Sequence, residues 1–379
     1  MCGRSGHQRF APRTPFWRSS GEPRPARGAR ARLSYLGSLV LVACATLACP
    51  QLMEDDFGVS DGGSGPAGGA SALGGAGSGS EAGRAGADDG GNGGNGGTGS
   101  RPSGGAAGVS NGGTSGSVCS DTEFSAPTLV SELELEGNLW GPSLSSDGLT
   151  LYFAVESDSD PGDLYRAVRR DRASAFAAPT PITELNTDGA EGTPYATVYG
   201  VFFFSDRQGE PDIWRAVRAL DGSFPAPELV PAVNSTEADF LPCLSWDGLR
   251  LLLGSYRGGA VGSSDLWVAT RPTLTGSFAA PLPLSELNTG AREEGASLTE
   301  DDLQIYFTSD RAGGAGGLDI WQASRYNVQS GFSPPVNLTT VNGPDEDADV
   351  HVSRDGTEIF FSSSRSGRSR IWRAERGCP

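Results

Sequence analysis

The sequence predicts an all-β protein, a five-bladed β-propeller with four-stranded blades, and three observations lead to this prediction. An aromatic strand start recurs five times at intervals of roughly fifty residues, the repeat length of a propeller blade. Alternating apolar and polar residues, bounded by Gly, Pro, Asp and Ser, fill each interval, as strands and turns require. The repeat also starts and stops out of phase, so that an N-terminal strand would complete the last blade.

The chain begins with a segment, residues 1–49, that has the features of an export signal. An arginine-rich stretch leads into an apolar run from Leu33 to Val42, which is too short to span a bilayer on its own. The letters LVAC, from Leu41 to Cys44, resemble the lipobox of bacterial lipoproteins. The resemblance implies an exported, lipid-anchored protein with the lipid on Cys44. Cleavage at Cys49 and an uncleaved membrane anchor are the alternatives.

Residues 50–117 form the next segment, and their composition predicts a flexible linker. Runs such as GGSGPAGGASALGG hold almost no aromatic or β-branched residues, so they cannot bury enough apolar surface to fold. A Gly-rich coil of about 60 residues has a root-mean-square span of roughly 40–45 Å, which suits a tether. The predicted propeller then occupies residues 118–379.

The charge of the chain argues against one class of partner. The formal net charge is −17 at pH 7. A surface of that sign repels phosphate backbones, so we expect no nucleic-acid partner. The sequence indicates no cofactor.

Two landmarks, each present in five copies, define the repeat. The first is the aromatic strand start, which reads DLYRA, DIWRA, DLWVA, DIWQA and RIWRA from Asp163, Asp212, Asp265, Asp319 and Arg370. The second is an FxxP turn, which begins at Phe124, Phe176, Phe224, Phe278 and Phe332. The Trp residues of the strand starts recur at fixed positions, so we expect them to pack within the blades.

Each unit contains signals for four strands. A short strand such as PCLS leads through a turn such as WDG to an aromatic strand such as LQIYFTS. A polar loop, the DIWRA strand and, past FxxP, an edge strand such as ELVPAVN complete the unit. Asp-Gly pairs, as at Asp247–Gly248, favour tight hairpins that need positive φ. Four strands in about fifty residues match one propeller blade.

The combined pattern SxDGxxLYFxSDRxGGxDIW resembles the PD40, or WD40-like, repeat of TolB-type β-propellers. The match covers nearly everything from Phe124 to Arg376. TolB-type propellers commonly have six blades, whereas this sequence contains five repeats. The resemblance implies partners of the TolB kind, namely envelope proteins or peptidoglycan-associated proteins.

The ends of the repeat array predict how the ring closes. The last unit stops after its third strand, RIWRA, whereas the first fragment carries a fourth-strand sequence, EFSAPTLVSEL. Cys119 and Cys378 lie at about the same point of this interrupted hairpin. We predict a Cys119–Cys378 disulfide, which an exported location permits. Cys243 lies in an alternating strand and is expected to be a buried, unreactive thiol.

Four units place an acid where the innermost strand begins, and four place an arginine in the SDR motif or its equivalent. The acids are Glu191, Asp239, Glu293 and Asp347, and the arginines are Arg207, Arg257, Arg311 and Arg365. The acids could approach the central channel as a ligand ring or a glycosidase-like pair. They could equally form structural ion pairs with the arginines. The first unit favours the pairs, because Leu139 and Ser157 replace both partners together.

Other candidates for chemistry are weaker. The acidic stretches ESDSDPGD and PDEDADVH lack a complete Ca²⁺-loop signature, so we interpret them as solvated loops and predict no metal site. His351 lies on a predicted inner strand, and no GxSxG elbow precedes it. We therefore assign no catalytic residue.

These observations predict a membrane-tethered, extracytoplasmic propeller that acts as a monomeric binding or scaffold module. We expect it at the outer membrane, on the periplasmic side or at the cell surface, with an envelope protein or peptidoglycan glycan as partner. Partners are expected where the repeats differ, above all at residues 256–265 and 310–319. The alternative is a carbohydrate-active enzyme or lectin that uses acids near the channel.

Overall fold

A computed structural model describes residues 123–259 and 261–377. These residues form twenty strands in five four-stranded antiparallel sheets, which are the blades of a five-bladed β-propeller, as the sequence predicts. The signal segment, the linker and the cysteines Cys44, Cys49, Cys119 and Cys378 lie outside the described residues.

Strands follow one another from the axis outward within each blade. Blade 1 contains β2 (Asn138–Leu144), β3 (Thr150–Ser157), β4 (Asp160–Val168) and β5 (Thr180–Pro181). Blade 2 contains β6 (Glu191–Thr197), β7 (Gly200–Ser205), β8 (Asp212–Ala216) and β9 (Glu228–Leu229). Blade 3 contains β10 (Asp239–Leu244), β11 (Arg250–Ser255), β12 (Asp265–Thr270) and β13 (Leu282–Pro283). Blade 4 contains β14 (Glu293–Leu298), β15 (Gln304–Ser309), β16 (Asp319–Ser324) and β17 (Val336–Asn337). Blade 5 contains β18 (Asp347–Val352), β19 (Glu358–Ser363), β20 (Arg370–Glu375) and β1 (Thr128–Leu129).

Burial decreases from the axis to the rim of each blade. The inner strands β10 and β14 are buried along their whole length, because both faces of an inner strand pack on neighbouring blades. Outer strands are shorter than the sequence predicts, with only two residues each in the described chain. In blade 2 the ladder continues for one further bond, from Val230 N–H to Ile213 C=O at 3.0 Å, and stops at Pro231, which has no N–H.

Every inner strand carries a β-bulge. In β10, for example, the register with β11 shifts between Phe240 and Cys243. The bulge residue has positive φ in each blade, and these residues are Gly141 (61°), Thr193 (43°), Leu241 (53°), Gly295 (64°) and Asp349 (54°). A bulge redirects the following side chains, which here point to the axis of the ring.

The N-terminal strand closes the last blade. β1 pairs with β20 through Thr128↔Arg373 and Leu129↔Trp372, which confirms the closure that the sequence predicts. The Arg376 guanidinium lies 4.5 Å from the centre of the Phe124 ring, which joins the two ends of the chain. The pairing of β1 covers the edge of β20, which would otherwise be open to pairing with another chain.

The same arginine contact recurs inside uninterrupted blades, and the sequence analysis did not identify it. An arginine two residues after the Ala of the third strand stacks on the Phe of the FxxP turn and donates from Nε to a turn carbonyl. The arginines are Arg169, Arg271, Arg325 and Arg376, with Nε···O distances of 2.7, 2.7, 2.7 and 2.6 Å. The ends of the chain therefore close with a contact that the blades use internally.

Candidate functional site

The four predicted acids lie at the first residue of the inner strands, at the corner where each blade turns inward. All four side chains are fully buried, with 0 % exposure. Each acid stands directly across the ladder from a serine that ends the second strand, and these pairs are Glu191↔Ser205, Asp239↔Ser255, Glu293↔Ser309 and Asp347↔Ser363.

The corner of blade 4 shows how such an acid is satisfied. Glu293 accepts hydrogen bonds from Thr289 N–H at 2.7 Å, Thr289 Oγ1 at 2.7 Å and Ser309 Oγ at 2.8 Å. Arg311 Nη2 lies 3.1 Å from the same carboxylate. Because these four contacts occupy both oxygens, the buried charge is compensated within its own blade.

The arginine of each corner is held as firmly as the acid. Arg311 donates from Nε to Ser309 Oγ at 3.1 Å and from Nη2 to Leu287 C=O at 2.6 Å. Its guanidinium lies 4.9 Å from the Phe307 ring centre and 5.4 Å from the Trp321 ring centre. The structure brings the other three predicted pairs together in the same way, and these are Arg207–Glu191, Arg257–Asp239 and Arg365–Asp347.

Blade 1 lacks the polar corner, and three of its four positions are apolar. Leu139 stands across the ladder from Val155, where the other blades have an acid and a serine. Leu139 is 0 % exposed and Val155 is 8 % exposed. Leu135 takes the position of Thr289, and Ser157 takes that of Arg311. Substitution of all four positions together is what an internally satisfied network requires, since a lone survivor would be a buried group without a partner.

The acids do not line the central channel, which corrects one part of the sequence interpretation. The channel wall consists of residues two to four positions further along each inner strand, such as Thr193, Leu241 and Asp349. The physical reason is the bulge, which turns these later residues toward the axis. The corner acids instead point back to the loop that precedes their own strand.

Tyr195 plugs the channel. Its hydroxyl lies beside the side chains of Cys243 and Ser297, on the next two blades. Its ring meets the His351 ring edge-on, with 5.4 Å between the centroids. The remaining cavity has a volume of about 20 Å³, close to what one water molecule needs. A sugar ring therefore cannot enter the middle of the channel in this structure.

The buried groups around the plug are in unreactive states. Burial lowers the pKa of His351 to about 3, so this imidazole is neutral, and Ser143 Oγ lies 3.4 Å from its Nδ1. Burial also raises the pKa of the Cys243 thiol to about 12. A neutral, sealed imidazole and a protonated thiol cannot act on a substrate from outside.

Two further carboxyls, which the sequence analysis missed, are those of Glu294 on β14 and Asp349 on β18, and Asp349 lines the central cavity. Burial raises the pKa of Glu294 to about 7, and this residue is 7 % exposed. Its carboxylate accepts a hydrogen bond from Ser264 Oγ at 3.1 Å and lies 3.8 Å from Arg292 Nε. Asp349, the bulge residue of β18, also has its pKa raised by burial and accepts hydrogen bonds from Gly141 N–H and Ser362 Oγ.

The opening that the geometry favours as a site lies at the corner of blade 1. A cavity of about 740 Å³ is present there, and Leu135, Val155 and Tyr165 are among its lining residues. An adjoining cavity of about 410 Å³ extends along the segment that connects β1 to blade 1, past Leu133 and Arg370. Together they form a groove at the seam between blade 5 and blade 1, which we call the seam groove.

The acidic stretch from Glu156 to Asp163 supplies part of the wall of the seam groove. Among the described residues, no group of three or more His, Cys, Asp or Glu side chains has an arrangement that could hold a metal ion. The second acidic stretch, Pro344 to His351, enters blade 5 and includes the corner acid Asp347.

The two glycine-rich loops that were expected to bind partners are each fixed at one end. A Cβ on Gly262 would stand 1.8 Å from Ala291 C=O, and one on Gly316 would stand 2.2 Å from Asp345 C=O. Only glycine permits this approach to the next blade. The tips, including Gly258 and Gly313, are exposed and remain available for contact.

The fold and its repeated corners define this protein as a five-bladed β-propeller. No protein-family model matches the sequence, and no curated protein matches it either. Similar solved structures include TolB from Acinetobacter baumannii, at 15 % identity over 65 % of this chain and 56 % of that chain, with a TM-score of 0.39. They also include an endo-arabinase from Bacteroides thetaiotaomicron, at 15 % identity over 68 % and 98 % of the two chains, with a TM-score of 0.48.

A catalytic domain of a GH62 α-L-arabinofuranosidase from Coprinopsis cinerea is similar at 10 % identity, over 67 % of this chain and 96 % of that chain, with a TM-score of 0.45. The likenesses extend across TolB proteins and glycoside hydrolases, so they concern the fold alone. Within the described residues, no helix has the length and hydropathy that crossing a bilayer requires.

Proposed function

We propose that this protein is an extracytoplasmic binding or scaffold propeller that holds an envelope protein at the seam groove. The observation that carries the proposal is that the protein's own side chains close the central channel and satisfy the corner acids. Tyr195 plugs the channel, and an arginine of the same blade contacts each of the four corner acids. Binding is then left to the outer surfaces where the blades differ, and the corner of blade 1 departs from the other four at all four positions.

The proposed location is the cell envelope, with a lipid on Cys44, or on Cys49, as the tether. The supporting features are the lipobox-like letters LVAC and the Gly-rich linker that follows. A linker of this kind allows the propeller to reach roughly 40–45 Å from its anchor. A monomeric propeller on such a tether suits the capture of a protein that is itself fixed in the envelope.

A second candidate function, binding or cleavage of a glycan, is favoured by Glu294 and Asp349. Asp349 lines the central cavity, the Glu294 carboxyl interacts with it electrostatically, and burial raises the pKa of each. A protonated acid beside an ionised one is what glycoside cleavage needs. The Tyr195 plug stands against this candidate, because it closes the channel below these groups.

The two candidates are separated by crosslinking the full chain in its native membranes, beside a glycan array that includes peptidoglycan fragments. We expect a specific protein crosslink. We expect no glycan on the array to bind in a way that requires Glu294 and Asp349. Retention or cleavage of a glycan that is lost in both Glu294→Gln and Asp349→Asn, with no protein crosslinked, would establish the second candidate instead.

A further inference from the structure

The corner of blade 1 can be compared with the same corner in blades 2 to 5, where the structure shows which side chain fills it. In blades 2 to 5 this corner holds a guanidinium over the aromatic ring of the third strand. In blade 2, for example, Arg207 lies 4.9 Å from the Trp214 ring centre. Its Nη2 donates to Leu185 C=O at 2.7 Å. Blades 2 to 5 therefore each hold one arginine side chain at this corner.

In blade 1 the equivalent position carries no arginine, and Arg370 of blade 5 instead donates to the loop before the inner strand, to Gly137 C=O at 2.6 Å and to Leu135 C=O at 3.3 Å. Ser157 stands at the arginine position, and Tyr165 stands at the position of Trp214. Both residues line the cavity of about 740 Å³, together with Val155, which replaces the serine of the other corners. The cavity thus lies beside the position at which an arginine stacks in the other blades, where β3 and β4 form a tighter hairpin in which Ser157 pairs with Asp160.

The walls of this space suit a side chain with an apolar stem and a cationic head. Leu135, Val155 and Tyr165 are apolar or aromatic contacts for the stem, as the stems of Arg and Lys prefer. The charged groups of the lining are five carboxyls and one guanidinium, namely Glu136, Glu156, Asp158, Asp160, Asp163 and Arg368. The net negative charge favours a cation, although Arg368 must turn aside or pair with a rim carboxyl.

We propose that the seam groove binds an arginine or lysine side chain of a protein partner, which takes the place of the internal arginine that blade 1 lacks. The inference deepens the proposed function and rests on it for the identity of the ligand as a protein. The partner segment carries an exposed basic residue, and its neighbours lie along the apolar floor toward Leu133. The internal arginines donate to a carboxylate, whereas the partner's head group lies among the rim acids.

The proposal differs from a cation site of the calcium type. An inorganic cation would use the carboxyls alone and would be indifferent to Tyr165 and to the residue at position 157. A basic side chain uses the aromatic face as well, through a cation–π contact. Substitutions at positions 157 and 165 therefore distinguish the two ligands.

The test is a ligand-observed NMR titration of the full chain in detergent with N-acetyl-L-arginine amide. The neutral isostere N-acetyl-L-citrulline amide is titrated in parallel, since it has the same shape without the charge. We expect saturable binding of the arginine compound, at least tenfold weaker binding of the citrulline compound, and weaker binding as salt rises. Equal binding of the two compounds, or no binding of either, would overturn the proposal.

The decisive variant is Ser157→Arg, which gives blade 1 the arginine of the other corners. We expect at least a tenfold loss of affinity for the arginine amide, because the new side chain occupies the same space. Ser157→Ala should keep parental affinity. Gln208→Arg is the control for added charge, because it places an arginine on the exposed loop of blade 2, beside a corner that Arg207 already fills. Affinity unchanged in Ser157→Arg would contradict the assignment of the site.

Thermal unfolding of each variant checks that the fold persists, and Tyr165→Phe provides a second route if Ser157→Arg fails to fold. Tyr165→Phe keeps the aromatic face, so it should retain binding within about threefold, whereas Tyr165→Leu should lose it. A Ca²⁺ titration that displaces nothing supports the proposal, and Ca²⁺ binding without arginine binding overturns it. If the arginine amide binds but crosslinking finds no protein, the proposed function fails while the site stands. If crosslinking finds a protein but the arginine amide does not bind, the proposed site fails while the proposed function stands.

Discussion

At the scale of single residues, the corner network behaves as one unit of four groups. Glu293 is fully buried, and Thr289, Ser309 and Arg311 together supply its partners. A buried ion pair contributes little net stability against a well-packed apolar replacement, yet loss of one partner is costly because the other is left unpaired. The natural replacement in blade 1 removes all four groups together and fills three of the positions with apolar residues, which is the form of substitution that this balance permits.

We predict that Glu293→Leu or Arg311→Ser alone lowers the free energy of unfolding by about 3 kcal/mol, because each leaves a partner uncompensated. The combined change of Thr289→Leu, Glu293→Leu, Ser309→Val and Arg311→Ser, which copies blade 1, should recover most of this loss. Urea unfolding monitored by Trp fluorescence measures the difference. Additive losses in the fourfold variant would show that the four groups do not act as a unit.

Glu294 gives the fold a dependence on pH. Its pKa of about 7 in the folded protein lies above the ordinary value of 4.5, because burial disfavours the charge. The folded state therefore retains a proton that the unfolded chain releases. The stability from the protonated carboxyl is complete below about pH 4.5 and is lost as the pH rises through about 7.

We predict that Glu294→Gln becomes progressively more stable than the parent between pH 4.5 and 7, by up to about 3 kcal/mol above pH 7. The amide is neutral throughout and avoids the cost of ionisation. Denaturant midpoints measured from pH 4.5 to 8 test this expectation. The exposed Glu237→Gln serves as the control and should follow the parent at every pH; a parallel course for Glu294→Gln would refute the assignment.

The acid and arginine of each corner could be identified from sequence because they recur at a fixed spacing and disappear together in blade 1. Glu294 and Asp349 could not, because each occurs in one blade only at its position. The positions of their side chains depend on the β-bulge, because the bulge determines which residue of an inner strand turns to the axis. The channel position of the acids was wrong for the same reason. The arginines that stack on FxxP recur in the sequence as the R of an AxR pattern at the end of the third strand and were overlooked.

At the scale of elements, the structure depends on how the short outer strands are held. Each has two residues in the described chain, so its ladder supplies few hydrogen bonds. The FxxP ring and its arginine add the main side-chain contact in most blades. In blade 5 this contact also joins the two ends of the chain, because Phe124 and Arg376 come from opposite termini of the propeller.

We predict that Phe124→Ala is more harmful than Phe278→Ala under reducing conditions. The two rings are comparably buried, at 5 % and 7 % exposure, and each would lose about 3 kcal/mol of packing. Loss of Phe124 additionally frees β1, so the edge of β20 is exposed and the variant should self-associate. Light scattering and thermal unfolding measure both effects. Indistinguishable variants would mean that closure does not depend on this contact.

At the scale of the whole molecule, five repeats make a ring whose number of blades the sequence predicts correctly. The number of blades followed from the two repeated landmarks and from the way the array begins with a fourth strand and ends after a third strand. All of these are properties of the sequence alone. The plug by Tyr195 could not be predicted, because it depends on contacts among several blades that share no sequence proximity.

The closure should be reinforced by the predicted Cys119–Cys378 disulfide, since both cysteines flank the described ends of the propeller. Closing a loop of about 260 residues would stabilise the fold by roughly 4–5 kcal/mol in the chain-entropy model, less any strain. Peptide mapping without reductant should find the two cysteines in one linked fragment. Free thiols at both positions would exclude the bond.

We expect the protein to bind its partner at the seam groove and not at the equivalent surface of other blades. This expectation is tested most directly with a photo-crosslinking residue at Ser131 in one variant and at Ser285 in another, in the native cell envelope. Both serines are exposed and follow the outer strand of a blade within the letters SEL, but Ser131 lines the groove. The account predicts a protein crosslink from position 131 and none of that mass from position 285. Equal crosslinks from both positions, or one from position 285 alone, would contradict it.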